Sequence, residues 1–203
     1  MNRAAIKRAM KKLAEADPDV ARGLAIVGPP EPRVRPAGFN TLLSAIVGQQ
    51  ISTEAARTIR ARVEQVLPDA TPKALLALPE GALRAAGMSG RKVEYATGLA
   101  SAIEEGAFDL EGLPQLSDED AIEAITALRG FGQWSAEIYL MFSLGRTDIF
   151  PSGDLALRVA VGKLKGLEER PTPGQARDLV AHWAPYRTAG SLFLWDYYRG
   201  APT

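Results

Sequence analysis

The stretch LRGFGQWSAEIYL, residues 128–140, places two glycines one residue apart between segments with helical periodicity. A glycine just past a helix end caps that helix, because glycine adopts a positive φ without a Cβ clash. A second glycine two residues later predicts a tight hairpin whose backbone another group can approach. Apolar residues at helical spacing lead into and out of the hairpin: Ile122, Ile125, Leu128, Trp134, Ile138, Met141 and Phe142.

Two interpretations of this hairpin are open. In a helix–hairpin–helix motif, the absence of side chains at Gly130 and Gly132 lets a phosphate reach the amides at the start of the second helix. Phe131 would then anchor the turn in the core. The alternative is a plain helical hairpin closed by a glycine cap. The motif alone does not separate the two.

Capped helices and the lack of strand patterns along the rest of the chain predict an all-α fold. Thr71-Pro72 and Thr172-Pro173 each combine an N-cap with a proline in the first turn, and Ser117 precedes three acidic residues. The connectors IVGPPEPRVRPAGF (26–39) and GAFDLEGLPQLS (106–117) divide the chain. We expect one unit over residues 1–203 that contains two helical lobes with a cleft between them: residues 36–115, and residues 1–35 with 116–203.

Composition limits the function classes. The 203 residues include no cysteine, which excludes disulfides, thiolate zinc sites and cysteine-ligated iron–sulfur clusters. The 24 basic and 24 acidic residues balance, so any nucleic-acid site must be local. The N-terminal MNRAAIKRAMKKLAEADPDV is typical of a basic amphipathic helix and lacks the apolar core of a signal peptide. With no apolar run of membrane-spanning length, we expect a soluble intracellular protein, in the cytoplasm and nucleoid or in a nucleus.

Several sequence blocks, taken in order, resemble one family. LRGFGQWSA (128–136) and DIFPSGDLALRVAV (148–161) are similar to the helix–hairpin–helix DNA glycosylase superfamily. LLSAIVGQQISTEAARTIRARV (42–63) resembles its early helix pair, and AAGMSGRKVEYATGLA (85–100) the segment before its central loop. AHWAPYRTAGSLFLWDYY (181–198) resembles the C-terminal helix of the 3-methyladenine DNA glycosylase II (AlkA-type) family. Several ordered blocks are far more specific than one short glycine motif.

The resemblance implies a catalytic aspartate at Asp154. Cleavage of an N-glycosidic bond leaves positive charge on the deoxyribose, which a nearby carboxylate stabilises. The same carboxylate can orient or deprotonate the attacking water. The alternative is that Asp154 serves only as a helix N-cap. The surrounding family blocks favour the catalytic role.

The resemblance also implies a base pocket. Trp134 and Trp195 match tryptophans that line the family's pocket, where aromatic faces hold an extruded cationic base by stacking and cation–π attraction. The alternative for both is packing in the core. Trp134 also occupies the position of the Schiff-base lysine of bifunctional members, which implies a monofunctional enzyme with no lyase step. Ile138 stands where the enterobacterial type has an aromatic residue, which implies a differently shaped pocket.

Contacts with DNA are expected from the resemblance at Gln50, Gly130, Gly132 and Ser135. Gln50, within GQQIS, matches the residue that the family inserts into the gap left by the flipped base. A glutamine can fill that gap and hydrogen-bond the orphaned partner base. The alternative is a polar loop residue that caps its own backbone.

The expected partner is double-stranded DNA containing alkylated bases, bound by a monomer with no membrane association. No cofactor and no iron–sulfur cluster are expected. The resemblance implies a structural sodium or potassium ion at the hairpin, on the main-chain carbonyls of Thr126, Leu128 and Phe131. Because main-chain atoms are the ligands, side-chain identity does not test this site.

Chemistry narrows the substrates to 3-methyladenine and 7-methylguanine. An alkylated purine is already cationic and departs without protonation, so no strong general acid is needed. His182, the one histidine, stands among apolar residues next to Trp183 and is expected to be structural. By the same resemblance, we expect the chain to lack the N-terminal mixed α/β domain of the enterobacterial enzyme type. We expect that absence and Ile138 to widen the range to 1-methyladenine and 3-methylcytosine.

Two rival functions come from other classes. One is a glycosylase of the same superfamily that acts on uracil, mismatched thymine or oxidised guanine. The other is a non-catalytic helix–hairpin–helix module that only grips the DNA backbone. Asp154 together with the two tryptophans is the feature that favours an alkylbase enzyme over such a module.

Overall fold

The computed structural model describes residues 1–200 and confirms the all-α fold. Over this range the chain forms twelve α-helices and two short 3-10 helices, with no strand. The α-helices are α1 (Arg3–Ala16), α2 (Pro18–Val27), α3 (Phe39–Gly48), α4 (Thr53–Val66), α5 (Pro72–Leu76), α6 (Ala82–Ala85), α7 (Gly90–Glu104), α8 (Asp118–Thr126), α9 (Gln133–Phe142), α10 (Leu155–Leu164), α11 (Pro173–Leu179) and α12 (Arg187–Gly200). The 3-10 helices are Leu113–Gln115 and Ala181–Trp183. None of the helices in the described range is long and apolar enough to cross a bilayer.

The chain divides into two compact units, Met1–Arg35 with Leu140–Thr203, and Pro36–Tyr139. We call them the terminal unit and the central unit. The central unit begins at residue 36, where the first predicted lobe begins, but it ends at residue 139 rather than 115. In this division the loop at 106–117 lies within the central unit, and its Phe108 and Leu113 are buried.

The three helix starts predicted from capping residues are confirmed. The hydroxyl of Thr71 accepts from the Ala74 amide at 3.2 Å at the start of α5, and that of Ser117 accepts from the Asp120 amide at 3.0 Å at the start of α8. Thr172 opens α11 with a complete capping box. Such caps occupy amides that the first helical turn leaves without intrahelical acceptors.

The single N-terminal helix predicted from sequence is two helices, α1 and α2. The break falls at Asp17, the N-cap of α2, and Pro18 occupies the first helical turn. Proline cannot donate the backbone hydrogen bond that a continuous helix would require there. The same rule that located Thr71-Pro72 would have located this break.

A buried ion pair fastens this break to the rest of the terminal unit. The Oδ2 atom of Asp17 accepts from Lys165 Nζ at 2.6 Å and from Trp183 Nε1 at 2.7 Å, and lies 3.0 Å from Nε2 of His182. Burial raises the pKa of Asp17, but the hydrogen bonds from Lys165 and Trp183 outweigh it and hold the pKa at about 2. The structure thus gives His182 a structural partner.

Close packing continues where α12 passes Trp183, which is fully buried. A Cβ atom added at Gly190 would lie 2.4 Å from Cε3 of Trp183, so only glycine allows α12 to pass this ring at the observed distance. The same helix carries Trp195, a predicted site residue. The packing of α12 against Trp183 therefore helps to position the candidate site.

Candidate active site

The glycine hairpin, which joins α8 to α9, lies in the central unit, and its two glycines differ. Gly130 has a φ of +98°, and an added Cβ would lie 2.4 Å from the Tyr95 ring. Backbone conformation and packing therefore both require glycine at this position. Phe131 is 7% exposed, which confirms that it anchors the turn in the core.

Gly132 stands at the N-terminus of α9 with open space around it. Its carbonyl accepts from the Ala136 amide at 3.1 Å, which marks it as the N-cap, and an added Cβ would meet no atom within 4 Å. Packing therefore does not explain the absence of a side chain here. Trp134 in the first turn is 49% exposed, and Ser135 beside it is partly exposed. First-turn amides without intrahelical acceptors attract anions.

The pocket residue predicted one turn further on is more enclosed. Ile138 is 8% exposed, so it offers a ligand little surface compared with Trp134. Sequence reasoning missed Glu137, a carboxylate that is 6% exposed and accepts from Nε2 of Gln133 at 3.0 Å. The spacing of Gln133 and Glu137, one helical turn apart, was the signal that could have found this pair.

The carbonyls assigned to a monovalent cation lie at the end of α8 and in the hairpin. The Leu128 carbonyl accepts from the Phe131 amide at 3.1 Å, and a carbonyl oxygen keeps a second lone pair for an ion. No group of three or more His, Asp or Glu side chains that could hold a metal occurs within residues 1–200. A cation held by the main chain of Thr126, Leu128 and Phe131 stays a prediction.

The loop between α3 and α4 contains Gln50, the residue predicted to enter the gap left by a flipped base, which we call the wedge. Gln50 is exposed and has a φ of +55°, and no other non-glycine residue in the described range has a positive φ. The preceding side chain, Gln49, donates from Nε2 to the carbonyl of Gly130 at 2.7 Å. The loop and the hairpin, both in the central unit, are thereby joined.

Asp154 lies in the terminal unit at the N-cap of α10. Its Oδ1 atom accepts from the Leu157 amide at 3.0 Å and from Nε1 of Trp195 at a longer 3.4 Å. The carboxylate is only partly buried. The structure therefore brings together two of the predicted residues and shows that Asp154 is an N-cap. The N-cap position is compatible with a catalytic role, because the helix dipole favours a negative charge near a helix N-terminus.

The loop that leads to Asp154 is fastened to the start of α12. Asp148 forms a bidentate ion pair with Arg187, with both N–O distances 2.7 Å, and this pairing lowers the pKa of Asp148. The Thr188 hydroxyl accepts from the Ile149 amide at 3.0 Å and donates to the Arg146 carbonyl at 2.8 Å. One helix thus holds both the approach to Asp154 and the tryptophan that contacts it.

The ring of Trp195 already has two neighbours. Cζ of Arg33 lies 5.3 Å from the ring centroid, and the Phe142 ring centroid lies 6.0 Å away at 50°. Nη2 of Arg33 also lies 3.5 Å from Oδ1 of Asp196. Sequence reasoning missed Arg33, which lies in the proline-rich connector with no periodic signal. A stacked base would have to share the Trp195 ring with this cation.

The predicted site residues are divided between the two units. Asp154 and Trp195 belong to the terminal unit, and their side chains are hydrogen-bonded. The remaining predicted residues belong to the central unit: Gln50, Thr126, Leu128, Gly130, Phe131, Gly132, Trp134, Ser135 and Ile138.

Comparison with known proteins gives a consistent picture. The family model described as "HhH-GPD superfamily base excision DNA repair protein" matches residues 43–185. A putative DNA-3-methyladenine glycosylase of Bacillus subtilis is 30% identical over 165 residues, covering 77% of this chain. The chain spans 58% of the length of that relative.

Two solved structures are similar over nearly the whole chain. A DNA-3-methyladenine glycosidase from Bacillus halodurans is 36% identical with a TM-score of 0.83, covering 94% of this chain and 88% of its own. The Schizosaccharomyces pombe 3-methyladenine DNA glycosylase in complex with abasic DNA is 29% identical with a TM-score of 0.76, covering 93% and 95%. Since the family model matches well over half of its residues, the chain belongs to the HhH-GPD superfamily of base excision DNA repair proteins.

Proposed function

We propose that this chain is a monofunctional DNA glycosylase of the 3-methyladenine DNA glycosylase II type, acting in base excision repair. Its substrates are 3-methyladenine and 7-methylguanine, with 1-methyladenine and 3-methylcytosine as further candidates. The observation that carries the proposal is the Asp154 carboxylate, partly exposed and fixed by the Leu157 amide and the Trp195 indole. Relatives named DNA-3-methyladenine glycosylases support the choice of substrate.

The reaction breaks the bond between C1′ of the deoxyribose and the base nitrogen. The bonding pair leaves with the base and neutralises the positive charge that alkylation placed on it. Positive charge develops on the sugar, and the Asp154 carboxylate stabilises it electrostatically. Water then forms a bond to C1′, and its proton passes to the carboxylate or to solvent. The fixed position of Asp154 means that little reorganisation accompanies the charge change.

Recognition of the flipped base is assigned chiefly to Trp134. Its half-exposed ring at the start of α9 offers an electron-rich face, which suits a cationic heterocycle. Ile138 contributes a small apolar edge, and Trp195 acts mainly through its indole N–H on Asp154. Arg33 over Trp195 disfavours a second cation on the same ring face.

The grip on DNA is assigned to the hairpin and the wedge. The amides near Gly132 and Ser135 would bind a phosphate without reading sequence, and Gln50 would fill the gap left by the flipped base. A sodium or potassium ion on the carbonyls of Thr126, Leu128 and Phe131 would fix the hairpin backbone. The proposal includes no cofactor and no iron–sulfur cluster, and one chain acting as a monomer on double-stranded DNA.

The absence of a lyase step rests on Trp134. A lyase needs an amine nucleophile to form a Schiff base with the sugar, and this position carries an indole instead. The product should therefore be an intact strand with an abasic site. Cleavage of the strand by the purified protein, beyond spontaneous breakage, would contradict this part of the proposal.

The experiment is a base-release assay on DNA treated with a methylating agent, run beside a duplex that contains uracil. We expect release of 3-methyladenine and 7-methylguanine and no release of uracil. Separate duplexes with 1-methyladenine and 3-methylcytosine define the outer range of the substrates. Release of uracil alone would indicate the mismatch-type glycosylase, and binding without any release would indicate a non-catalytic module.

A further inference from the structure

The loop that carries Gln50 is held in an unusual backbone conformation. Residues 49–52 connect α3 to α4, and Gln50 has a φ of +55°, a region that a residue with a Cβ enters only at a cost in energy. Such a conformation persists only where the surrounding contacts determine it. The contacts on either side of Gln50 therefore matter more than its own exposed side chain.

Two side-chain hydrogen bonds fix the loop on its α3 side. Lys92, in the first turn of α7, donates from Nζ to the Val47 carbonyl at 2.8 Å, and burial lowers the pKa of this lysine. Gln49 donates from Nε2 to the Gly130 carbonyl at 2.7 Å. The Lys92 bond restrains the backbone at the end of α3, and the Gln49 bond ties the loop to the backbone of the hairpin.

The anchor of Gln49 is itself rigid. Gly130 has a φ of +98° and lies against the Tyr95 ring, where even a Cβ would have no room. Backbone conformation and packing therefore both constrain the residue whose carbonyl Gln49 contacts. Gln49 thus connects this constrained residue of the hairpin to the loop, one peptide bond away from Gln50.

We infer that Gln49 is a positioning residue that holds the Gln50 wedge ready for insertion, by tying the wedge loop to the glycine hairpin. This inference rests on the proposed function, because it assumes that Gln50 enters the gap left by a flipped base. A loop that is ordered before binding loses less conformational entropy on insertion. The benefit appears only on DNA that contains a gap, and intact duplex does not require it.

The central variant is Gln49→Glu, which keeps the side chain's length and removes its N–H donor. Gln49→Met removes the donor without adding charge. A comparison of the two variants therefore separates the loss of the hydrogen bond to Gly130 from charge repulsion by the new carboxylate. Gln65→Glu is the matched control, because Gln65 is exposed on α4 in the same unit and undergoes the same charge change. Melting curves establish that each variant is folded.

The measurement is the ratio of affinities for an abasic-analogue duplex and an intact duplex at one salt concentration. Fluorescence of 2-aminopurine placed opposite the abasic site reports directly on insertion beside the partner base. We expect both Gln49 variants to lower the affinity ratio about fivefold and to reduce the fluorescence change, as the loss of one hydrogen bond implies. Gln65→Glu should leave both readings unchanged.

The same Gln49 variant made in a Gln50→Ala protein distinguishes a role in positioning Gln50 from a general structural role. In a Gln50→Ala protein there is no wedge to position, so Gln49→Glu should lower the affinity ratio no further. An unchanged ratio in both single Gln49 variants would overturn the inference, as would an equal further loss in the Gln50→Ala background. A wild-type protein with no preference for abasic DNA would instead contradict the proposed function, before any Gln49 variant is considered.

Discussion

Two aspartates in the terminal unit begin from the same local design. Asp17 is the N-cap of α2 and accepts from the Asp19 amide at 3.0 Å, whereas Asp154 is the N-cap of α10 and accepts from the Leu157 amide at 3.0 Å. Each also accepts from a tryptophan indole, at 2.7 Å for Asp17 and 3.4 Å for Asp154. Local capping therefore does not distinguish a structural carboxylate from a candidate catalytic one.

Their surroundings do distinguish them. Asp17 is 2% exposed and ion-paired with Lys165, so its charge is already matched inside the protein. Asp154 is partly exposed and its indole bond is long, so a substrate can approach it. The comparison teaches that solvent access, more than the cap itself, separates the aspartate that holds the fold from the one proposed to act on DNA.

The largest effect on stability is expected for Asp17→Asn. Removing the charge leaves the partly buried Lys165 with one fewer carboxylate, and breaking such a pair costs about 3 kcal/mol of unfolding free energy. Denaturant titration at neutral pH measures the change. Asp154→Asn, the matched variant at the other cap, should change the unfolding free energy much less. Equal losses in the two variants would remove the distinction between them.

Acid should affect the same contact. The pKa of Asp17 is about 2 in the fold against an ordinary 3.8, so its ionised form favours the folded state. This contribution, about 2 kcal/mol, is complete above about pH 4 and is lost as the pH falls through the folded pKa of about 2. Unfolding free energies measured between pH 5 and pH 2 should fall less steeply in Asp17→Asn than in wild type. Parallel curves would show that Asp17 does not carry this dependence.

The two hairpin glycines show the same contrast, with Gly130 required by the fold and Gly132 proposed to contact DNA. Gly130→Ala places a Cβ in the left-handed region and against Tyr95, so we expect a loss of about 2 kcal/mol in unfolding free energy. The Cβ of Gly132→Val meets open space, so this variant should lose less unfolding free energy than Gly130→Ala, chiefly through its poorer N-cap. It should nevertheless weaken binding to intact and abasic duplex alike by about tenfold, because phosphate contacts do not read damage. A Gly132→Val protein that binds DNA normally would favour the plain-hairpin interpretation.

The smallest effects are expected for the two tryptophans. Trp183→Phe removes the short indole bond to Asp17 and should lower the unfolding free energy by more than about 1 kcal/mol, with base release per folded molecule unchanged. Trp195→Phe removes the long bond to Asp154 and should slow base release about fivefold, with little change in melting. Thermal melts and single-turnover rates on both variants test the pair. Wild-type release by Trp195→Phe would show that its indole does not position the carboxylate.

Much of the fold was accessible from sequence because its signals are local. Caps at Thr71, Ser117 and Thr172 and the Gly130–Gly132 hairpin act over three or four residues, and all lie where they were predicted. The break at Asp17 was missed although it follows the same rule. The extent of the central unit was not predictable from loop composition, because the division of the chain depends on contacts between residues that are distant in sequence.

The candidate site was accessible only through family resemblance, since its contacts are distant in sequence. Asp154 and Trp195 meet across 41 residues, and Gln49 reaches Gly130 across 81. No periodic pattern in the sequence predicts that Arg33 lies over the ring of Trp195. Side-chain hydrogen bonds of this range depend on the tertiary arrangement of helices, which no local pattern of residues encodes.

The central claim is that Asp154, and not Asp17, performs the chemistry. Single-turnover release of 3-methyladenine by wild type, Asp154→Asn and Asp17→Asn, each normalised to its folded fraction, tests it most directly, with binding to an abasic-analogue duplex measured alongside. We predict that Asp154→Asn loses about a thousandfold in rate while keeping most of its affinity, and that Asp17→Asn releases base at the wild-type rate. Release by Asp154→Asn at close to the wild-type rate would contradict the account.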